Sequence, residues 1–552
     1  MALAVCLSGT ASAVFAQSPV ASGPLPVLKA DGKTLKIRTS TSRNADTWTI
    51  EPSLRPDVFE TQARQVTFMS GIDTIRFSLD EGQVSDFVAL TASGDSAYIQ
   101  VERVSDNPLE NPPRSMVRRS GSGKLSKKQA IFDIEALLYT LSEVHPNMFF
   151  QCPQSKFFDA VAEAKSRLGD SVSVAELYRL MAPIVGMIGD GHTRLYFPLN
   201  NLVASGATFM PMLVDVMPDS SVVVRSSQDG VVPQGASVLS INGVEAGDMV
   251  VDMMRYESGE RYFFRIEGVN SDFPGLLSLL YPADAYVVRY RPKDGGAVRE
   301  ATLRPVAFSV LSEMPGRRKS SARRPAYSFR VDKASGVAVM DFHSFSNPRR
   351  MSAFADSMFT VLRNEGISNL IIDLRDNSGG NSAVGDTLLR YISPKPFIQF
   401  SKTIMRITPT TKRLARLGNI LPGWRCLPVS ETLALKKPRT AAEGHYDGNV
   451  YLLTSHHTFS SAASFAWAFS SFDMGTVVGE ETGGMNVCYG DVVSYRLPAS
   501  GLNCQISWKR FWSYGADENN IHGTLPDCPV KAAEALDKAL DLAGRCGRHK
   551  LK

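Results

Sequence analysis

From Gly336 onward, short apolar runs alternate with stretches whose apolar residues recur every three or four positions. That alternation restricts the C-terminal part of the chain to a layered arrangement of strands and helices. Strands are expected at Val337 to Phe342, Leu370 to Leu374, Val450 to Leu453 and Thr476 to Val478. Helices are expected at Ser352 to Glu365, Ala383 to Tyr391, Ser460 to Phe469 and Ala532 to Leu542. With 552 residues, the chain is too long for one hydrophobic core, so this layered part, residues 327–545, is one domain among several.

Upstream the pattern changes three times. Residues 17–105 carry alternating runs such as Thr34 to Arg38 and Thr74 to Ser78 separated by turn residues, which predicts a small β-sandwich. Residues 106–128, rich in Pro, Ser, Gly and basic side chains, read as a linker. Residues 129–200 hold three helical patterns and close on the turn Gly189-Asp190-Gly191-His192-Thr193. Residues 201–310 return to short strands, and the Asn242-Gly243 pair is a hairpin signal. Gly235 followed by a strand and Ile241-Asn242-Gly243 resembles the groove region of a PDZ domain, which implies uptake of an extended peptide by strand addition.

Residues 1–16 are apolar and small, contain no acidic side chain, and end Val14-Phe15-Ala16 before Gln17, as a secretory signal does, although the usual positive start is missing. Export to a periplasmic or extracellular space is therefore expected. Loss of that segment would remove Cys6 and leave six cysteines, an even number that permits disulfides; Cys488 and Cys504 flank a strand-turn-strand pattern and are candidates for neighbours. No cysteine pair or His and carboxylate grouping has metal-ligand spacing, so neither a metal nor another cofactor is expected. A net charge of +5, with no stripe of basic and aromatic residues, argues against a nucleic-acid face, and no later apolar stretch is long enough to span a bilayer.

Three segments carry chemistry. The strand ending Asp373-Leu374-Arg375 runs into Asp376-Asn377-Ser378-Gly379-Gly380, where adjacent glycines would let backbone N–H groups face a ligand. The strand Val450 to Leu453 leads through Thr458-Phe459-Ser460-Ser461-Ala462 into a helix, which puts a serine at a helix N-terminus; a simple N-cap serine fits that pattern equally. A third run reads Gly479-Glu480-Glu481-Thr482-Gly483-Gly484-Met485, with Pro526-Asp527 late in the chain.

In this order, across about Ile134 to Val530, the segments resemble the serine peptidases of the C-terminal (tail-specific) processing and tricorn-like kind. The resemblance implies a multidomain α+β protein with a crotonase-like ββα catalytic domain and a peptide or protein substrate. It implies Ser460 as nucleophile, with Ser461 as the alternative one position on, and an oxyanion hole from Gly379 or Gly380 together with the N–H of Ser461. The lysine base of the processing branch is replaced by Met485. In the tricorn-like branch the base is a histidine, matched here by His192, with Glu518 next to Asp517 as its acid partner; Lys509 is the next candidate base. A catalytically inactive peptide-binding homologue and a serine esterase on the same fold are the competing readings.

If the N-terminal segment is a cleaved signal, N-terminal sequencing of native protein should begin near Gln17. An intact Met1 in protein recovered from the cytosol would contradict it.

Overall fold

In this computed structural model, residues 109, 112–118, 123–316, 324–417, 425–428 and 434–549 are described. For residues 425–428 and 545–549, and for strand segments between 27 and 103, the description is of the backbone. The expected signal segment, the Thr74 to Ser78 run and Cys6 lie outside the described residues. Strands Val27–Ala30, Lys33–Ser40, Glu60–Thr61, Gln83–Ala92 and Asp95–Arg103 form one five-stranded antiparallel sheet, with Asp95–Arg103 between Lys33–Ser40 and Gln83–Ala92.

Three helices follow. Lys127–Val144 and Val174–Gly186 each begin at a full capping box, Ser126 with Gln129 and Ser173 with Glu176, which satisfies free N–H groups of the first turn at both ends of the motif. Gln154–Ser166 starts after Pro153. Apolar residues of the three helices pack with the strand Asn503–Ser513 in one core. Among the described residues no helix is long and apolar enough to cross a membrane.

The next unit is a sheet in the order Met212–Val216, Val222–Ser227, Ser237–Ile241, Tyr286–Arg291, Arg299–Leu303, with helices Ala246–Met253 and Tyr262–Leu280 packed in its core. Asn242, at φ +49°, and Gly243, at φ +81°, make the tight turn after Ser237–Ile241. Met212–Val216 is an edge strand, and the backbone N–H and C=O of Val214 and Val216 point away from its partner strand because Met217 N–H bonds Ser221 O across the hairpin. Those outward groups are largely taken. Val216 N–H donates to Asn270 Oδ1 at 2.6 Å, Asn270 Nδ2 donates to Val216 O at 3.0 Å, and Arg225 Nη2 donates to Val214 O at 3.0 Å. A peptide strand pairing here would have to displace Asn270.

The C-terminal part has two sheets. In the larger, Tyr327–Asp332 pairs antiparallel with Val337–Phe342, after which Asn369–Asp373, Asn449–Thr454, Thr476–Gly479 and Cys528–Pro529 all run parallel. One face is covered by helices Pro348–Asn364, Ser382–Ile392 and Ser461–Ser471, burying Phe359, Phe465 and Leu388 completely. Each such side chain contributes about 1.5–3 kcal/mol relative to exposure. Helix Ala535–His549 packs on the other face through Ala535 and Ala539. The smaller sheet orders Arg425–Pro428, Phe400–Ile407, Asn503–Ser513 and Val487–Arg496, and the two-residue strand Arg194–Leu195 pairs with Asn503–Ser513.

The expectation of disulfides is corrected for the four cysteines whose side chains are described. Cys152, Cys488, Cys504 and Cys528 are free thiols. Cys488 faces Phe511 across the ladder and Cys504 faces Tyr495, so a strand's length separates the two cysteines read as neighbours.

The Asn270 clamp gives a stability prediction. Asn270→Ala strips partners from both polar groups of buried Val216 and should lower unfolding free energy by about 1–3 kcal/mol in urea titration. An unchanged midpoint would mean that water replaces the clamp without cost.

Candidate active site

Ser460 sits one residue before helix Ser461–Ser471, at φ 54° and ψ −128°, a backbone conformation that costs a non-glycine residue energy. The preceding loop is held in place from below. Thr458 Oγ1 donates to Leu374 O at 2.9 Å, Ser455 Oγ donates to Arg375 O at 2.5 Å, and Phe459 N–H donates to Asn377 O at 3.0 Å. A side chain on Gly379 would meet Ser460 Cβ at 2.7 Å and Ser461 N at 2.8 Å, so only glycine allows the two loops this approach.

His192 reaches the serine from the helical segment. Its Nε2 lies 2.9 Å from Ser460 Oγ, although the residues are 268 positions apart. Pairing of Leu195 with Cys504 and Arg194 with Gln505 fixes the strand just beyond it, and Gln505 Nε2 donates to His192 O at 2.9 Å. The ring leans on Phe459, centroids 4.4 Å apart, and only 12% of the side chain is reached by solvent. Burial lowers the imidazole below its ordinary 6.5, with Asp190 pulling it up and Arg194 pushing it down. With Nε2 facing the hydroxyl, the neutral ring carries its hydrogen on Nδ1, a buried atom with no hydrogen-bond partner.

Asp190 lies beneath. It is fully buried, and its oxygens accept from His192 N–H at 2.8 Å, Ser507 Oγ at 2.6 Å and His145 Nε2 at 3.2 Å. Burial alone would raise this carboxyl; the His145 bond and charge, the His192 charge and the Ser507 bond outweigh it and bring it to about 2. A second, half-buried carboxyl, Glu260, comes from the sheet unit and accepts Gly191 N–H at 3.2 Å. Burial, reinforced by the charge of Asp190, pushes Glu260 up to about 8, and its Oε1 has no partner.

A cavity of about 460 Å3 opens beside Ser460. Phe400, Met485, Cys488, Tyr489 and Phe511 line it together with the polar Asn381, Ser382 and Ser464, and Asp491 with Lys509 lies at its wall, paired at 2.5 Å.

Residues 336–530 match the model of peptidase family S41. Over this region the chain is similar to that family. Among solved structures, mature CPAF superposes with a TM-score of 0.55 at 14% identity, covering 76% of this chain and 96% of that one. Mature CPAF complexed with lactacystin gives 0.53 at 15% identity, over 77% and 98%. The photosystem II D1 C-terminal processing protease gives 0.38 at 15%, over 76% and 97%, too loose to bear on the arrangement. At these identities the likeness to CPAF is one of fold.

Around the matched region, the structure separates some of the residues that the motifs group together. Gly379 does not offer a free donor, because its N–H is spent on Asn377 Oδ1 at 2.8 Å. Gly380 N–H and Ser461 N–H have no acceptor among the described residues, and both residues line the cavity. Ser461 Oγ donates to Gly380 O at 2.6 Å, so Ser460 is the serine in contact with His192. Glu518 is not brought to His192. Its carboxylate accepts from Arg510 Nη2 at 3.1 Å and Trp512 Nε1 at 2.9 Å, two side chains pointing from the strand Asn503–Ser513. The carboxyl within ion-pair reach of His192 is that of Asp190, a residue the motif reading passed over; its place two positions before the histidine, where an aspartate caps a following N–H, is the signal that could have found it.

Glu260 supplies a pH test. Its proton is lost near 4.5 when the chain is unfolded and near 8 when folded, so native stability falls as pH rises through that window. Glu260→Gln lacks the penalty and should gain on the parent protein steadily between about pH 5 and pH 8 in denaturant titrations. Parallel curves across that range would show that Glu260 ionises as an ordinary carboxyl.

Proposed function

We propose that the chain is an exported serine endopeptidase that works through an acyl-enzyme on Ser460. The observation that carries the reading is the 2.9 Å contact between His192 Nε2 and Ser460 Oγ, made at a strained serine at a helix N-terminus. His192 takes the hydroxyl proton as Oγ bonds to the carbonyl carbon of the scissile peptide. The negative oxygen that forms is held by the N–H groups of Gly380 and Ser461, with the helix dipole behind Ser461 adding to them. His192 then gives its proton to the departing amine, which leaves an ester on Ser460. Water enters by the same steps in reverse, its proton going to His192 and then back to Oγ.

On this reading the layered C-terminal part is a crotonase-like catalytic domain, and the sheet packed with Ala246–Met253 and Tyr262–Leu280 is PDZ-like. The Phe400, Met485 and Phe511 side chains on the cavity wall suit a peptide with an apolar side chain beside the scissile bond. Met485, at the position where the processing branch carries a lysine, belongs to that wall, which leaves proton transfer to the histidine.

Ser460→Ala and His192→Ala should each lower kcat for a quenched fluorescent peptide by about 10⁴- to 10⁶-fold, with the double variant little worse than either. The acid limb of kcat/KM should fall below the ordinary histidine value of 6.5, since burial lowers His192. Near-full turnover by His192→Ala would assign the base elsewhere, with Lys509 tested next. Failure of a fluorophosphonate to label Ser460 in the parent protein, together with absent turnover, would favour the inactive homologue; ester turnover without peptide turnover would favour the esterase.

A further inference from the structure

An imidazole that takes a proton from serine needs a negative group to hold its orientation and to offset the charge it gains. Two carboxylates can be weighed for that role, Glu518 from the sequence resemblance and Asp190 from the structure, and their surroundings differ. Glu518 is bonded to Arg510 and Trp512, and its side chain is 47% exposed. Asp190 has no exposure, and its Oδ1 lies 3.8 Å from His192 Nδ1 while accepting the histidine's own N–H. That separation exceeds a hydrogen bond, so in the resting state the coupling is Coulombic; catalytic contacts of this kind shorten when the imidazolium forms.

The carboxylate is itself fixed from behind. Asn147 N–H donates to His145 Nδ1 at 3.2 Å, which makes Nδ1 the acceptor and leaves Nε2 as the donor aimed at Asp190 Oδ2. The His145 ring packs on Tyr489 with centroids 4.5 Å apart, and Ser507 Oγ reaches the same oxygen at 2.6 Å. Asp190 therefore faces three donors and one unpartnered imidazole nitrogen. The other charged groups facing His192 are Arg194 and Asp491, and Asp491 is neutralised by Lys509. Glu260 also faces Asp190.

We infer that Asp190, and not Glu518, is the carboxylate that positions His192 for proton transfer, with His145 and Ser507 holding that carboxylate in place. The inference rests on the serine peptidase reading in that it takes His192 as the base. The two can still fail separately, because the decisive readout needs no turnover. Asp190 carries its charge throughout the working range, being brought to about 2 by its donors against the effect of burial.

The test is a titration of the His192 ring by NMR in full-length, histidine-labelled protein carrying Ser460→Ala. Adding Asp190→Asn should lower the midpoint by about one unit or more, since it removes the charge that favours the imidazolium. Adding Glu518→Gln should leave it within about 0.2 units. If Asp190→Asn does not fold, Ser507→Ala decides: it deletes one donor, concentrates the carboxylate charge on His192, and should raise the midpoint by about half a unit. In the active protein Asp190→Asn should lower kcat about 10²- to 10⁴-fold. A midpoint unmoved by the Asp190 and Ser507 variants, or one moved by Glu518→Gln, overturns the assignment. Peptide turnover by Ser460→Ala would instead overturn the function and leave the titration standing.

Discussion

Everything chemical in this molecule depends on holding two atoms, His192 Nε2 and Ser460 Oγ, at 2.9 Å when they come from opposite ends of a long stretch of chain. The serine is carried by the parallel sheet, the histidine by a loop after three helices. What joins them is the strand Asn503–Ser513, which pairs with Arg194–Leu195 on one side of the site and with Phe400–Ile407 and Val487–Arg496 within its own sheet. Side-chain bonds fasten the same junction: Ser507 N–H to Thr193 Oγ1, and Ala499 and Ser500 N–H to buried Asp133. The helical segment is therefore docked by backbone pairing, and the histidine inherits that rigidity.

The electrostatics follow from how little water reaches this junction. A buried carboxylate is costly unless its lone pairs are met, and Asp190 meets that condition with donors from three separate segments. Glu260, close by and without such donors on Oε1, keeps its proton instead. Two acids in one environment are thus pushed in opposite directions, and His192 stays neutral over most of the pH range in which a base is needed.

The sheet unit is tied to the site as well. Phe264 stacks on Phe459 with centroids 4.2 Å apart, Phe263 stacks on His456 at 4.2 Å, and Arg261 donates to Ile521 O at 2.6 Å. A side chain on Gly191 would strike Phe264 and Phe459 at 2.8 Å, so the turn bearing His192 is pressed between this unit and the serine loop. A change in the unit's seating would be felt at the base through those rings.

Sequence by itself determined the parts whose cause is local. The apolar run Val337–Phe342 is a strand because a continuous apolar run suits a sheet buried on both faces, Ser126 and Ser173 start helices because each has its glutamine or glutamate three residues on, and adjacent glycines mark a close approach of two loops. The serine and the histidine are legible for the same reason, each standing in a short motif. Tertiary structure alone decided which acid faces His192, which glycine keeps a free N–H, and whether the described cysteines pair. Glu518 and Asp190 look alike as letters, yet Arg510 and Trp512 draw one away while Ser507 and His145 fix the other under the ring. Gly379 and Gly380 are neighbours, but only the loop path reveals that Asn377 consumes the first N–H. Such outcomes rest on register between strands distant in the chain, and displacing a ladder by a single residue would turn each of these side chains to the opposite face.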